Sequence, residues 1–282
     1  MIDDALTEDD LELFLALETA SRACGVTLYL IGAGAIQMGG DQVWRTRLSR
    51  NTLDWDFAVR VDSWEQFDLM GDHLTSSEGG FVQGGQRHRF KHVNGRGVID
   101  IVPFGDLEQP EGEIDWGDGF VMNTTGLEVV ERNHNIQKLA GFDLHAATIP
   151  AILGLKLLAF IDRRERRTTD MDDVYAILLE ANERAYDGED QDMQTRLSEQ
   201  ATGVLSSGQV TIAQVGAFLI GHEVREIFSA SAVESMVELL QEVGTTTDRI
   251  SPQIARGVSG TSLETVRLDL EALSRGLTPP RA

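Results

Sequence analysis

Several features that mark particular classes of protein are missing from this chain of 282 residues or scarce in it. It has a single cysteine, Cys24, which excludes an internal disulfide framework and any zinc site built from several cysteines. No apolar run approaches the roughly 20 residues that a membrane-spanning helix needs. The first twenty residues contain seven acidic side chains and no basic one, unlike a secretory signal peptide. These absences predict a cytoplasmic protein with no membrane partner.

Basic residues are also scarce, because 24 Lys and Arg stand against 46 Asp and Glu and give a net charge of −22. Such an acidic balance argues against broad, non-specific binding of nucleic acid, which usually needs a basic surface. The hydrophobic fraction of 41% and the charged fraction of 25% are ordinary for a globular protein and argue against wholesale disorder. The length suits one large domain or two modest ones.

The N-terminal half alternates helical and strand-like patterns, whereas the C-terminal half is helical by its apolar period. We predict helices over residues 8–24, 33–38 and 63–74, strands over 26–31, 55–61, 88–92 and 98–102, and then helices over 152–163, 171–180, 210–220, 232–243 and 262–274. Asn94-Gly95, between the last two strands, is a strong hairpin signal. The sequence therefore predicts an α+β fold, with a small mixed-sheet domain over residues 1–147 and an all-helical domain over residues 148–282.

Asp54 and Asp56 are the first candidates for chemistry. On a strand, residues two apart project from the same face, so the two carboxylates lie side by side while Trp55 points into the core. Two like charges this close are unfavourable unless a cation lies between them or one is protonated. Mg²⁺, which binds oxygen ligands and nucleotide phosphates, is the natural occupant. An isolated Asp-x-Asp is more often a solvated pair on an exposed strand, so the pattern needs support.

Asp100 supplies part of that support. It interrupts the apolar run Val98–Val102, where a carboxylate is costly unless it is paired or bound to a metal. Two acids on one strand and a third on another are what a metal site for phosphoryl chemistry needs, with one carboxylate able to help deprotonate an attacking hydroxyl.

A glycine-bearing turn follows the first strand, in the segment Leu30–Ala35. Glycines allow backbone N–H groups to approach a phosphate, and a following helix N-terminus favours an anion. The segment fails as a dinucleotide-binding fingerprint, because Gln37 stands where the third glycine belongs, and it fails as a Walker A loop, because no Gly-Lys-Ser/Thr follows. A glycine in a tight turn is otherwise commonplace.

The order of three segments, Leu30–Ala35, Arg50–Phe57 and Ile99–Gly105, resembles the polymerase-β-type nucleotidyltransferases. More narrowly, it is similar to the AbiEii/AbiGii nucleotidyltransferase toxin family, which runs a Gly-Ala-x-Ala turn, an Arg-x-Thr-x-Asp-x-Asp strand and an Ile-Asp-Leu-Val-Pro-Phe-Gly strand. That family continues with a Lys-bearing helix ending in Asp-Arg and a Lys-Asp-x-x-Asp helix, at whose places this chain has Leu155–Arg163 and Thr169–Asp173. The resemblance covers about residues 28–180.

The resemblance implies a catalytic domain over residues 1–147 and a helical domain over residues 148–282 that completes the cleft. The metal ligands that it implies for Mg²⁺ are Asp54, Asp56 and Asp100, of which Asp100 acts as a ligand or as a base. The catalytic residues that it implies are these three acids and Lys156. The residues that it implies for nucleotide binding are Gly32, Ala33, Gly34, Arg50, Thr52, Lys156 and Asp173. Two positions depart from the family pattern: Gly34 stands where Ser or Thr is frequent, and Thr169 stands where the family has Lys.

Basic residues gather in three places around these motifs. Arg45, Arg47 and Arg50 precede the Asp-x-Asp strand, four bases lie between Arg87 and Gly97, and five lie between Lys156 and Arg167. Any one cluster is most simply a solvated face, but three near one site can focus an anionic substrate into it. By its apolar neighbours alone, Lys156 favours a snorkelling side chain, and the resemblance favours one that faces the cleft.

The reaction that the resemblance implies is transfer of a nucleoside monophosphate from an NTP to a hydroxyl, with release of pyrophosphate. The implied acceptor is RNA, such as the 3′ end of a tRNA, or a protein. The implied role is that of the toxin in an AbiE-like type IV toxin–antitoxin or phage-defence system, with an antitoxin protein as partner. Two alternatives stay open: a non-catalytic nucleotide-binding or interaction protein of the same fold, and an aminoglycoside-type enzyme that modifies a small molecule.

Overall fold

The structure, a computed structural model, describes residues 7–39, 54–95, 97–110, 112–117, 119–139, 141–165, 168–187, 191–258 and 260–279. The chain divides into two compact units, one ending at Ile152 and one beginning at Leu153. This division falls inside the helix Ile149–Asp162, whereas the predicted boundary at 147/148 falls just before that helix. Each unit is described by itself.

The described part of the first unit contains three helices and nine strands. They are α1 (Glu8–Cys24), β1 (Leu28–Ile31), α2 (Gly32–Gly39), β2 (Asp54–Val61), α3 (Trp64–Thr75), β3 (Phe81–Gln83), β4 (Arg89–His92), β5 (Val98–Gly105), β6 (Glu113–Asp115), β7 (Val121–Asn123), a 3₁₀ turn (Leu127–Glu131), β8 (His134–Leu139) and β9 (Phe142–Ala147). Within this part, seven strands form one sheet in the order β3-β4-β5-β2-β1-β9-β8, and β6 and β7 pair separately. The sheet is mixed, because β2 runs parallel to β5 and β1 parallel to β9.

Helix α1 covers one face of this sheet and leaves the other face to the acidic residues. Thr7 and Asp10 close a capping box at its N-terminus. The buried Phe14 packs edge-on against Trp55 of β2, with the ring centroids 4.9 Å apart. The Trp55 indole N–H also donates to Asp10 Oδ1 over 3.1 Å. Because side chains alternate along a strand, this packing places Asp54 and Asp56 on the opposite face.

Strands β8 and β9 add two members to the sheet that the sequence patterns did not predict. They form an antiparallel hairpin, and β9 pairs with the central strand β1. Strand β8 lies at the edge of the sheet, where Asn135, Ile136 and Lys138 are all exposed. An edge strand with so little burial lacks the alternation that would reveal it.

All the secondary-structure elements in the described part of the second unit are helices or helical turns, which confirms the predicted fold class. Helix α4 (Ile149–Asp162) begins in the first unit and continues into the second. The further elements of the second unit are α5 (Thr168–Asp187), α6 (Gln191–Arg196), a π-helical turn (Leu197–Ala201), α7 (Thr202–Ser206), a 3₁₀ turn (Ile212–Gln214), α8 (Val215–Ile227), α9 (Ala230–Leu240), α10 (Ile250–Gly257) and α11 (Leu263–Leu277). Helix α8 begins later than the predicted helix over 210–220, and α10 was not predicted. None of the helices in the described ranges is long and apolar enough to cross a lipid bilayer.

Glycines allow a close contact between two helices of the second unit, α8 and α11. A Cβ atom on Gly276 of α11 would meet the backbone carbonyl of Phe218 in α8, and one on Gly221 would lie 2.6 Å from the carbonyl of Leu273. The two backbones therefore approach more closely than any larger residue permits.

Candidate active site

The strand register brings the three predicted carboxylates to one face of the sheet. In the parallel pair β2–β5, Asp56 lies opposite Asp100, and Asp54 lies opposite Val98. In-register residues of neighbouring strands point to the same side, as do residues two apart on one strand. Asp54, Asp56 and Asp100 therefore share a patch at the N-terminal ends of the two strands.

Arg89 lies within the same patch. In the antiparallel pair β4–β5 it is opposite Asp100, so its side chain rises from the same face. Its Nε donates to Asp100 Oδ1 over 2.7 Å and its Nη2 donates to Asp100 Oδ2 over 2.6 Å. The same Nη2 lies 3.4 Å from Asp54 Oδ2. These hydrogen bonds and the attraction of the carboxylates raise the pKa of the Arg89 guanidinium against the effect of burial, so its charge is permanent.

The donor set fits Mg²⁺ in part. Asp54 and Asp56 carry carboxylate oxygens, the kind of ligand that Mg²⁺ prefers, on one face, and the Asp54 side chain is 45% exposed to solvent. A Cβ atom on Gly32 would lie 2.6 Å from Asp56 Oδ2, so the carboxylate lies directly against the glycine. Both oxygens of Asp100 accept hydrogen bonds from Arg89, and the predicted role of Asp100 as a ligand or base stays a prediction. Among the described residues, no three His, Cys, Asp or Glu side chains are arranged to hold one metal ion.

The glycine turn lies beside the carboxylates. Ile31, the last residue of β1, pairs with Asp56, and helix α2 begins at the next residue. Gly32 has a φ of +67°, a conformation that glycine adopts without strain. Gly34 packs on the other side of the strand, since a Cβ there would lie 2.6 Å from the Trp55 ring. The turn thus places the first N–H groups of a helix next to Asp56, and the predicted phosphate contacts of Gly32, Ala33 and Gly34 stay predictions.

Two of the four bases in the cluster around β4, Arg87 and Arg89, are paired with acids of the same unit. Arg87 makes a bidentate ion pair with Asp68, over 2.6 and 2.7 Å, and its guanidinium lies 4.1 Å from the centre of the Trp64 ring. Arg89 is held by Asp100. Less positive charge therefore faces an incoming anion than the sequence alone indicates. Trp116 is buried edge-on against Trp64.

Lys156 and Asp173 lie in the second unit, where they contact each other. The Lys156 ammonium donates to Asp173 Oδ2 over 2.6 Å and to Asp170 Oδ1 over 3.2 Å. Burial lowers the pKa of Lys156, but the two carboxylates raise it by more, so the pKa is raised overall and the ammonium stays charged. The side chain neither snorkels nor stands alone: it is a buried cation neutralised by two acids. Its predicted contact with a nucleotide stays a prediction.

Two of the predicted nucleotide-binding residues, Arg50 and Thr52, lie outside the described residues, as do Arg45 and Arg47. Arg89 is the site residue whose place sequence reasoning missed. A signal for it existed: counting outward from the turn Asn94-Gly95 pairs residue 91 with 98, 90 with 99, and Arg89 with Asp100. That count needed only the hairpin prediction already made.

Comparison with known proteins gives two similar structures. One is the crystal structure of an antigenic nucleotidyltransferase-like protein from Paracoccidioides brasiliensis, which is 18% identical over 72% of this chain and 93% of that one, with a TM-score of 0.36. The other is the Thermotoga maritima CCA-adding enzyme complexed with tRNA_CCA, 12% identical over 98% of this chain and 82% of that one, with a TM-score of 0.26. Both scores are low, so neither likeness decides the fold or the activity. No protein-family model matches the chain, and no curated protein sequence matches it.

Proposed function

We propose that this protein is a nucleotidyltransferase, which moves a nucleoside monophosphate from an NTP to a hydroxyl group and releases pyrophosphate. The observation that carries the proposal is the meeting of three features on one patch: the Asp54–Asp56 pair, Asp100 in register with Asp56, and the helix-starting turn whose Gly32 lies against Asp56. The motif order that resembles the AbiEii/AbiGii family supports it.

In this proposal each part of the patch has a task. The backbone N–H groups at the start of α2 bind the phosphates of the NTP, because they have no partner within the helix and lie at its positive end. Asp54 and Asp56 would hold Mg²⁺, which neutralises phosphate charge when bound. The hydroxyl oxygen of the acceptor forms a bond to the α-phosphorus as the bond to pyrophosphate breaks, and Asp100, as the base of this proposal, takes up the proton of the hydroxyl.

We further propose that the acceptor is RNA, with the 3′ end of a tRNA as the first candidate and a protein as the second. The role that follows from the resemblance is a toxin restrained by an antitoxin protein. The net charge of −22 supports recognition at one defined end over broad contact with the nucleic-acid backbone, since a strongly acidic surface repels phosphates elsewhere.

Label transfer tests the proposal. The purified protein is incubated with each α-labelled NTP, Mg²⁺ and total RNA, and label is followed in RNA and in protein. Asp54→Asn and Asp56→Asn are expected to abolish transfer, whereas Asp106→Asn, an exposed acid paired with Arg60 just beyond β5, is expected to leave it intact. Transfer that persists unchanged in both site variants would show that the site is wrongly assigned.

One observation favours a second function, that of a nucleotide-binding protein without catalysis. Arg89 holds both oxygens of Asp100, the carboxylate that would serve as a base or third ligand. Calorimetry separates the two functions: NTP binding that does not depend on Mg²⁺, with no label transferred, is the expected result for a binding protein.

A further inference from the structure

We propose that the open edge of strand β3, together with the groove between β3 and helix α3, binds an extended, basic segment of a partner protein as an additional strand. Strand β3 (Phe81–Gln83) is an end strand of the seven-stranded sheet. Such edges recognise peptides, because main-chain hydrogen bonds provide affinity and pockets for alternate side chains provide specificity. The binding is measured without any turnover, so it does not depend on the proposed function.

The hydrogen-bond pattern of β3 directs two of its residues at the open edge. Just beyond the strand, the N–H of Gly84 donates to the carbonyl of Arg89 on β4 over 2.6 Å. Hydrogen-bonded and non-hydrogen-bonded pairs alternate in an antiparallel ladder, so Val82 also bonds to β4, whereas the N–H and C=O groups of Phe81 and Gln83 point away from it. Among the described residues, no strand pairs with this side of β3. Four main-chain groups are therefore available to an added strand.

The groove beside this edge has room for side chains. It has a volume of about 570 Å³ between β3 and α3, and the buried rings of Phe67, Phe81 and Phe90 form its floor. Gly71 lines it from α3 and contributes no side chain that would fill it. On the opposite face of the strand, the side chain of Val82 is 50% exposed. Because side chains alternate along a strand, an added segment would place one side chain in the groove and the next against Val82.

The charge on the α3 wall of the groove selects the kind of segment. Asp68 forms a bidentate ion pair with Arg87. Asp72, one turn further along α3, is exposed and forms no ion pair with any described residue. The groove is thus lined by two carboxylates and one guanidinium, in a chain whose net charge is −22. A basic side chain two residues from the one in the groove would neutralise Asp72, whereas an acidic segment would be repelled.

Fluorescence anisotropy on the full chain tests the proposal with a labelled, end-capped peptide of sequence Lys-Thr-Val-Thr-Lys. Wild type is expected to bind it at least about tenfold more tightly than Glu-Thr-Val-Thr-Glu, and than the basic peptide N-methylated at every residue, which cannot donate hydrogen bonds to β3. Gln83→Pro removes an edge N–H that β4 does not use, so it is expected to raise the Kd at least about tenfold. Gln83→Ala is the matched control, since it loses the side chain and keeps the N–H, and its Kd is expected to stay within about threefold of wild type.

A second pair of variants tests the choice of a basic segment. Asp72→Asn is expected to raise the Kd of the basic peptide at least about threefold, because the peptide then loses its unpaired carboxylate. Asp106→Asn, which removes an exposed acid outside the groove, is expected to leave the Kd unchanged. Equal effects of the two substitutions would show that only the overall charge attracts the peptide, and would contradict the proposal.

Thermal melting checks that each variant is folded, and if Gln83→Pro does not fold, the N-methylated peptide decides alone. Amide hydrogen exchange over Phe81–Gln83 is expected to slow when the basic peptide binds. Unchanged exchange there, equal affinities for the methylated and unmethylated peptides, or no binding by wild type at about 1 mM peptide would overturn the proposal. A chain that is dimeric in analytical ultracentrifugation and monomeric as Gln83→Pro would assign the edge to a second copy, and would overturn it as well.

Discussion

At the scale of single residues, each unit of this protein holds a basic side chain of limited exposure that is paired with acids. Arg89 is held by Asp100 in the first unit, and Lys156 by Asp170 and Asp173 in the second. Removing one partner of such a pair leaves an uncompensated charge, which costs more than the pair contributes. The ionic residues that stand out in the sequence are therefore part of the folded core as well as candidates for chemistry.

Gly32 allows a sharp test of the turn beside Asp56. Gly32→Ala is expected to lower the free energy of unfolding by more than Gly25→Ala, although both glycines have nearly the same φ, +67° and +65°. The backbone strain, about 1–2 kcal/mol, is common to both. Only at Gly32 does the new Cβ meet a neighbour, Asp56 Oδ2 at 2.6 Å, since Gly25 has open space around it. Urea unfolding measures the difference, and equal losses in the two variants would contradict the close approach.

The buried Asp269 of α11 is expected to make the free energy of unfolding depend on pH. Burial raises its pKa to about 6, against hydrogen bonds from Tyr175, Asn182 and Gln214 that lower it. The folded state then holds the proton more tightly than the unfolded state, whose pKa is near 3.8, so this residue's contribution to stability is lost as the pH rises through 6. Relative to Asp269→Asn, wild type is expected to lose about 1 kcal/mol between pH 5 and pH 7 in urea unfolding. Parallel pH profiles for the two proteins would rule this out.

Secondary-structure elements differ in how directly their residues specify them. Helix α1 carries its own start signal in Thr7 and Asp10 and its own stop signal in Gly25, and it lies where the sequence predicts. Hairpin β4–β5 is likewise specified by Asn94-Gly95. Strand β8 could not be predicted, because its exposed edge carries no period, whereas α10 is eight residues long and has only two buried apolar side chains, Ile250 and Ile254, to mark it.

The contact between α8 and α11 yields a prediction at the same scale. Gly276→Ala is expected to destabilise the protein by about 1–3 kcal/mol, because its Cβ would overlap the Phe218 carbonyl and force the helices apart. Gly203→Ala in α7 is the control, since nothing lies within 4 Å of that position. It is expected to be neutral or to stabilise by up to about 1 kcal/mol, the helix propensity gained. Denaturant unfolding of both variants checks the pair, and a stable Gly276→Ala would contradict the close packing.

At the scale of the whole molecule, the net charge of −22 does not show how acidic and basic side chains pair with each other. Two bases around β4 are bound by acids of the same unit, Arg87 by Asp68 and Arg89 by Asp100. The positive charge of these two residues is therefore balanced where they lie, and the predicted focusing of an anionic substrate by the basic clusters stays a prediction. The positive end of α2 remains beside Asp56 as a feature that an anionic phosphate group can use.

The sequence by itself determined the local elements and the identity of the candidate site. Helix caps, turn residues and the spacing of apolar residues are local signals, so α1, the glycine turn and the β4–β5 hairpin could be predicted from their own sequences. The acids Asp54, Asp56 and Asp100 stood out for the same reason. Only the tertiary structure decided that Asp56 lies opposite Asp100, because parallel strands far apart in the chain have no turn to set their register. That register is chosen by burying the faces of both strands at once, and it is also what places the Arg89 guanidinium, already opposite Asp100, beside Asp54.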